Sequence, residues 1–184
     1  MKWPVNNSYR SRVQCLTMDL YQYVDEATVA ALQRLLPNVI FNPIVKPIAS
    51  SKASSVSIEL PAASGGEYLF VLFFSPQRQI HARLLPANTR QYYFWYRPFE
   101  DAEFGNSIEK LDCAFMETVE QLISNETRII QKRGLLTNSF KCDYRSLSGW
   151  KTVSGQSALR IRGFVVPPID GKQRIYHSPA LILL

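Results

Sequence analysis

The strongest pattern of apolar and polar positions lies between residues 67 and 126. Residues 67–74 are apolar at nearly every position, which predicts a strand that is covered on both faces. Residues 79–85 and 91–97 are predicted to be two further strands, and a turn signal precedes each of them. Because the connections are short, we expect the three strands to form an antiparallel meander.

Two amphipathic helices are predicted around this meander. Asn106, with Glu109 three residues later, forms an N-terminal capping pattern for a helix that runs to about Ser124. Asp25 is a favourable N-cap for an earlier helix, which ends before Pro37. The later helix carries an apolar stripe with the spacing of a helix that lies on a sheet. The stripe consists of Ile108, Leu111, Phe115, Val119 and Leu122.

Shorter apolar runs predict the remaining strands. Proline interrupts residues 38–48, which are expected to form an extended segment at a sheet edge. Other strands are expected at residues 12–20, 55–60, 127–132 and 136–144.

The last third is predicted to contain a loop and a hairpin. Residues 146–157 are rich in Ser, Gly and Lys around Trp150 and are predicted to be loop-like. Asp170 and Gly171 form the strongest hairpin signal in the chain, which predicts a β-hairpin over residues 158–178.

The order of these elements predicts an α+β fold rather than a doubly wound parallel sheet. We expect one domain over residues 1–184. It would contain a mainly antiparallel, twisted sheet of about seven or more strands with two helices packed on it.

Composition indicates an ordinary globular protein, with 46% apolar and 20% charged residues. The N-terminal residues lack the apolar core of a signal peptide, and no apolar run approaches the length of a membrane span. We therefore expect no membrane association. The cysteines, Cys15, Cys113 and Cys142, are three in number and far apart, which suits a reducing cytoplasm.

The charge is distributed unevenly along the chain. Residues 127–184 carry 10 basic and 2 acidic residues, whereas residues 67–126 carry 5 basic and 9 acidic residues. The two regions either complement each other within one fold, or the last third presents a basic surface to an anionic partner.

The sequence contains no recognisable catalytic motif. His81 and His177 are the only histidines, and with three scattered cysteines they do not give a zinc-ligand spacing. Glu100, Asp101 and Glu103 are interpreted as complements of a helix N-terminus rather than as a metal site. We therefore expect neither a metal nor a cofactor, and favour a binding function over an enzyme.

One candidate site combines aromatic and arginine side chains on neighbouring strands. If the core side carries Ile80 and Phe94, one outward face carries His81, Arg83, Tyr93, Trp95 and Arg97. Such a face suits a protein or small-molecule partner, because Trp, Tyr and Arg dominate binding energy. The alternative is that both faces of the sheet are covered and the aromatic residues belong to the core.

A second candidate site is the basic last third. Its possible anion-binding residues are Arg128, Lys132, Arg133, Arg160 and Arg162. The main functional hypothesis is a non-catalytic binding or regulatory domain that uses the first site. The alternative is a single-stranded nucleic-acid-binding protein that uses the basic third. A small hydrolase or transferase based on His81 or His177 is the third hypothesis. The sequence gives no prediction of the oligomeric state.

Overall fold

The computed structural model describes residues 24, 26–41, 44–47, 54–74, 78–85, 93–134, 137–159 and 169–182. These residues form an α+β fold with nine antiparallel strands in two sheets. The expected single sheet of seven or more strands is therefore wrong. Strongly twisted sheets tend to split into two packed sheets, and here the chain leaves the first sheet after β5 and starts a second one.

The first sheet has five strands in sequence order and contains the predicted meander. Its strands are β1 (Ile44–Pro47), β2 (Ser54–Glu59), β3 (Tyr68–Phe74), β4 (Arg78–Leu84) and β5 (Tyr93–Phe99). The apolar strand β3 lies at the centre and is buried on both faces, as predicted, with Leu72 and Val71 exposed by 0% and 1%. The proline-containing strand β1 lies at the edge, where missing donors are tolerated.

The second sheet has four strands in the order β8-β7-β6-β9. Its strands are β6 (Thr127–Arg133), β7 (Thr137–Ser146), β8 (Gly149–Leu159) and β9 (Gln173–Ser178). The loop predicted at residues 146–157 is mostly strand β8, so that prediction is wrong. Its polar residues suit an edge strand, which needs only one covered face, and Gly149 at φ 113° allows the tight turn from β7.

The predicted hairpin over residues 158–178 is described only in part. Its second arm, β9, pairs with β6, and Gly171 precedes it with a positive φ of 87°. Residues 160–168 of the first arm lie outside the described residues, as does the predicted strand at residues 12–20. The hairpin therefore stays a prediction.

Both helices contribute buried side chains to the core that the five-stranded sheet shares, and they contact each other. Helix α1 spans Glu26–Leu35, and helix α2 spans Ile108–Ser124 after a short 3-10 helix at Asp101–Phe104. The N-cap of α2 is Ser107, one residue after the predicted cap, and its hydroxyl accepts a hydrogen bond from the Lys110 amide. The predicted stripe is buried except for Ile108, which lies at the first position of the helix.

One apolar cluster joins the two sheets and the helices. The ring of Phe94 on β5 contacts Phe140 on β7 and Tyr176 on β9, with centroid distances of 6.2 and 4.9 Å. The hydroxyl of Tyr68 donates to Thr127 Oγ1 at 2.8 Å, which satisfies a polar group inside this contact. The same cluster includes Phe115 of α2, so the fold has a continuous core.

Candidate functional site

The structure does not bring the five residues of the first candidate site onto one face. In an antiparallel pair, residues directly opposite each other share a face. Ala82 lies opposite Trp95, but the register shifts after this pair and Arg83 lies opposite Tyr93. Phe94 is therefore an extra residue in β5, a β-bulge that moves the following side chains to the other face.

The bulge places Trp95 and Arg97 on the core side. Trp95 is 1% exposed and contacts Phe70 edge-on, with ring centroids 6.3 Å apart. Arg97 pairs with both carboxylate oxygens of Glu103, at 3.0 and 2.8 Å. The sequence-based assignment of these two residues to an outward face is therefore wrong. For Tyr93 the structure describes only the backbone.

The side of the five-stranded sheet that faces away from the core is called the His81 face. By strand register its described side chains include Ser57, Glu59, Leu69, Val71, Phe73, Gln79, His81, Arg83, Tyr96 and Pro98. His81 stacks on Tyr96, with centroids 5.5 Å apart, and its Nε2 lies 2.9 Å from the side-chain oxygen of Gln79. Phe73, at 4.5 Å between ring centroids, and Tyr96 are thus aromatic neighbours of His81, and Trp95 is not.

On the His81 face, Arg83 is paired with a carboxylate and His81 is neutral. Arg83, whose side chain is only 11% exposed, donates to Glu59 at 2.8 Å. Burial lowers the pKa of His81 to about 4, so the ring is neutral at neutral pH. Glu59, His81 and Arg83 together therefore carry no net charge at neutral pH.

The second candidate site is described in part. Arg128 and Lys132 lie on β6 with the same parity and share the outward face of the four-stranded sheet. Arg133 follows Lys132 and has the opposite parity. Arg160 and Arg162 lie outside the described residues.

The outward face of the four-stranded sheet is called the basic face. By strand register it carries Arg128, Ile130, Lys132, Lys141, Asp143, Arg145, Trp150, Thr152, Ile175 and His177. Four of these are permanent cations, against the one carboxylate of Asp143. Glu126, which precedes β6 on the same parity, adds a second carboxylate, 3.9 Å from His177. The described part of this face therefore carries an excess of two positive charges.

Asp143 lies beneath the cations of the basic face. Its side chain is 1% exposed and contacts Arg128 at 3.0 Å and Lys141 at 3.1 Å, and Thr152 Oγ1 donates to it at 3.1 Å. Burial acts to raise the pKa of Asp143, but hydrogen bonds from Lys141, Arg128 and Thr152 together lower it. The carboxylate is therefore ionised and is covered by these side chains, which keeps it away from any bound partner.

The indole ring of Trp150 contacts two arginines of the basic face. The guanidinium carbon of Arg128 is 4.2 Å from the centroid of the indole ring, and that of Arg145 is 5.4 Å away. Both distances are those of cation–π contacts. Trp150 is half-buried and Arg145 is exposed, so the group forms part of the outer surface.

Sequence reasoning missed Lys141, Arg145 and Trp150 as site residues. The alternation of Lys141 and Arg145 with the core residue Cys142 was visible in the sequence, but the segment around Trp150 was predicted to be a loop. Ser148 and Gly149, a turn signal between two strand-like runs, would have predicted the hairpin that places Trp150 opposite Arg145.

The other chemical groups do not assemble into a described site. Among the described residues no group of three or more His, Cys, Asp or Glu could hold a metal ion. Cys113 is exposed, and the charge of Glu117 raises its pKa, whereas Cys142 is fully buried. No helix in the described ranges is long and apolar enough to cross a membrane.

Comparison of the chain with protein-family models, curated proteins and solved structures finds no match.

Proposed function

We propose that the protein is a non-catalytic binding module that holds an anionic partner against its basic face. The observation that supports this most directly is the arrangement of charge. Lys132, Lys141 and Arg145 are exposed, while Asp143 lies beneath the surface and is covered by Arg128 and Lys141. A partner would therefore meet cations and a half-buried indole ring rather than the carboxylate.

The basic face is not the binding surface expected from the sequence, which was the face with His81 and Arg83. The arginine of the His81 face is already paired with Glu59, and Arg97 is held by Glu103. A partner would have to compete with these carboxylates for each guanidinium, which reduces the gain from binding. We therefore consider a protein or small-molecule partner at His81 and Arg83 less well supported than an anionic partner on the basic face.

A hydrolase or transferase based on the histidines receives less support. A general base works best with a pKa near the working pH, whereas burial holds the pKa of His81 at about 4. His177 lies on the edge strand of the other sheet, beside Glu126. We place the binding module in the cytoplasm, a reducing compartment that suits the free thiols of Cys113 and Cys142.

Binding of labelled heparin, a polyanion without bases, tests the proposal. Affinity should fall as salt rises, because exposed charges are screened. The double variant Lys132→Glu/Arg145→Glu should lose about tenfold or more in affinity, since cations that neutralise the polyanion have been reversed. The matched control, Arg34→Glu/Lys110→Glu, changes the net charge equally on the two helices and should bind nearly as the unaltered protein does. Equal losses in both variants, or no binding at low salt, would contradict the proposal.

A further inference from the structure

Arg128, Trp150 and Arg145 form a row of three planar groups, in which both guanidinium carbons lie over the indole ring, 4.2 and 5.4 Å from its centroid. Strand register brings the three side chains together on one face, because Arg145 lies opposite Trp150 across β7 and β8, and Arg128 lies opposite Asp143 across β6 and β7. An anion held by charge alone needs no planar group. Aromatic rings and guanidinium planes on an open sheet face are instead the groups on which unpaired bases stack.

Asp143 fixes one end of this row. Arg128 donates from Nε to Asp143 Oδ2 at 3.0 Å while its guanidinium carbon lies over Trp150 at 4.2 Å. A guanidinium held by a carboxylate that is 1% exposed loses little further side-chain freedom when a ligand binds. The other arginine of the row, Arg145, is exposed, so the row has one fixed end and one end open to solvent.

The rest of the basic face suits a chain of phosphates and bases. Lys132 and Lys141 lie beside the row on β6 and β7 and are exposed. Ile130 and Ile175 lie opposite each other on the same face, and Ile175 is 37% exposed. The face thus alternates cations with flat or apolar surface, as in grooves that follow a nucleic-acid backbone and stack its bases.

We infer that the anionic partner is a single-stranded nucleic acid whose bases stack on the row of Arg128, Trp150 and Arg145, an inference that rests on the proposed function. An acidic protein would use the same cations, but its carboxylates would not stack on the indole ring of Trp150. A duplex would keep its bases stacked on each other and would not offer them to Trp150. These partners can therefore be distinguished by measuring how much the planar groups contribute to binding affinity independently of charge.

Two matched pairs of variants separate planarity from charge, with oligothymidine and heparin as probes. Trp150→Leu should weaken oligothymidine binding by about 5- to 100-fold, the range found for loss of one stacked base, while Trp150→Tyr keeps a ring and most of the affinity. Arg145→Lys keeps the charge and loses the plane, so oligothymidine binding should fall by about two- to fivefold. Arg145→Gln loses the charge and keeps only a smaller planar amide, so it should also weaken heparin binding. Heparin binding should be unchanged in both Trp150 variants, because heparin has no bases to stack. An unchanged thermal midpoint would show that the variants are folded.

The outcomes distinguish this inference from the proposed function. If heparin binds but Trp150→Leu and Arg145→Lys leave oligothymidine affinity unchanged, the protein is a polyanion binder and the stacking inference is wrong. Tighter binding of polyglutamate than of oligothymidine would point to an acidic protein and would also overturn it. If no probe binds at low salt, the proposed function itself fails.

Discussion

The His81 face and the basic face carry similar residue types but differ in how their charges are compensated. Each combines arginine with an aromatic ring on neighbouring antiparallel strands. On the His81 face, Arg83 is nearly buried and paired with Glu59, and the histidine is neutral. On the basic face, cations outnumber carboxylates and Trp150 remains half-exposed in contact with two arginines.

This difference shows that residue type and parity do not identify a binding surface by themselves. Whether a face can bind an anion depends on whether its cations outnumber the carboxylates that pair with them, and those carboxylates are often distant in sequence. Glu59 is 24 residues from Arg83, and Asp143 is 15 residues from Arg128. The two faces can be separated experimentally by variants that disturb one and spare the other.

The largest expected difference is between the two tryptophans. Trp95 is 1% exposed in the core, so Trp95→Ala should destabilise the protein by about 3–5 kcal/mol. Trp150 is half-buried at the surface, so Trp150→Ala should cost about 1 kcal/mol, mainly through lost cation–π contacts. Urea denaturation of both variants measures the two free energies of unfolding. Equal losses would mean that Trp150 is part of the core and is not available to a ligand.

The next effect concerns the pH dependence of stability through His81. Its pKa of about 4 lies below the ordinary value of 6.5, so the unfolded chain binds the proton first as pH falls. The free energy of unfolding is therefore unaffected by His81 above pH 6.5, where the ring is neutral in both states. It falls between pH 6.5 and about 4, by up to about 1.4 kcal/mol per pH unit. Over this interval the difference amounts to about 3 kcal/mol.

Denaturation curves at several pH values can isolate this effect. His81→Gln should have a shallower loss of stability between pH 6.5 and 4 than the unaltered protein. His177→Gln, which changes an exposed histidine on the basic face, should keep the full slope. The same slope in His81→Gln and in the unaltered protein would show that the His81 face is open to water.

A smaller effect is expected for the carboxylate beneath the basic face. Asp143→Asn removes the counter-charge of Arg128 and Lys141 and should cost about 1–3 kcal/mol at neutral pH. Because the pKa of Asp143 is lowered in the folded protein, its carboxylate stabilises the fold at pH values above the ordinary carboxyl pKa. This stabilisation is lost as pH falls and the carboxylate is protonated. Asp143→Asn should therefore also reduce the loss of stability in acid.

Glu103→Gln provides the matched control for Asp143. Glu103 pairs with Arg97, but its side chain is 42% exposed, and exposed ion pairs contribute about 1 kcal/mol or less. If thermal or urea denaturation gave equal losses for Glu103→Gln and Asp143→Asn, Asp143 would not be the buried anchor of the basic face.

The sequence predicted most elements of the fold but not their division into two sheets. Periodicity identified the central strand, the meander and helix α2, because each buries a continuous apolar stripe. It could not place the end of the first sheet, since strand pairing depends on contacts between distant segments. Residues such as Thr152 in the edge strand β8 are polar because that strand needs cover on one face only, and such strands resemble loops in sequence.

The candidate site was predicted less well, for two local reasons. The bulge at Phe94 shifted Trp95 and Arg97 by one position, and a bulge leaves no clear signal in the alternation of aromatic residues. The burial of Asp143 depends on its pairing with Arg128 and Lys141, which only the register of β6 and β7 reveals. The basic character of the last third was predictable, but the stacked row around Trp150 was not.

The central claim is that an anionic partner lies on the basic face, and lysine footprinting tests it most directly. The acetylation rates of Lys132, Lys141 and Lys110 would be measured by mass spectrometry with and without saturating heparin at low salt. Lys132 and Lys141 lie on the basic face, whereas Lys110 lies on helix α2. We expect heparin to slow the acetylation of Lys132 and Lys141 severalfold and to leave the acetylation rate of Lys110 unchanged. Equal protection of all three lysines, or protection of Lys110 alone, would contradict it.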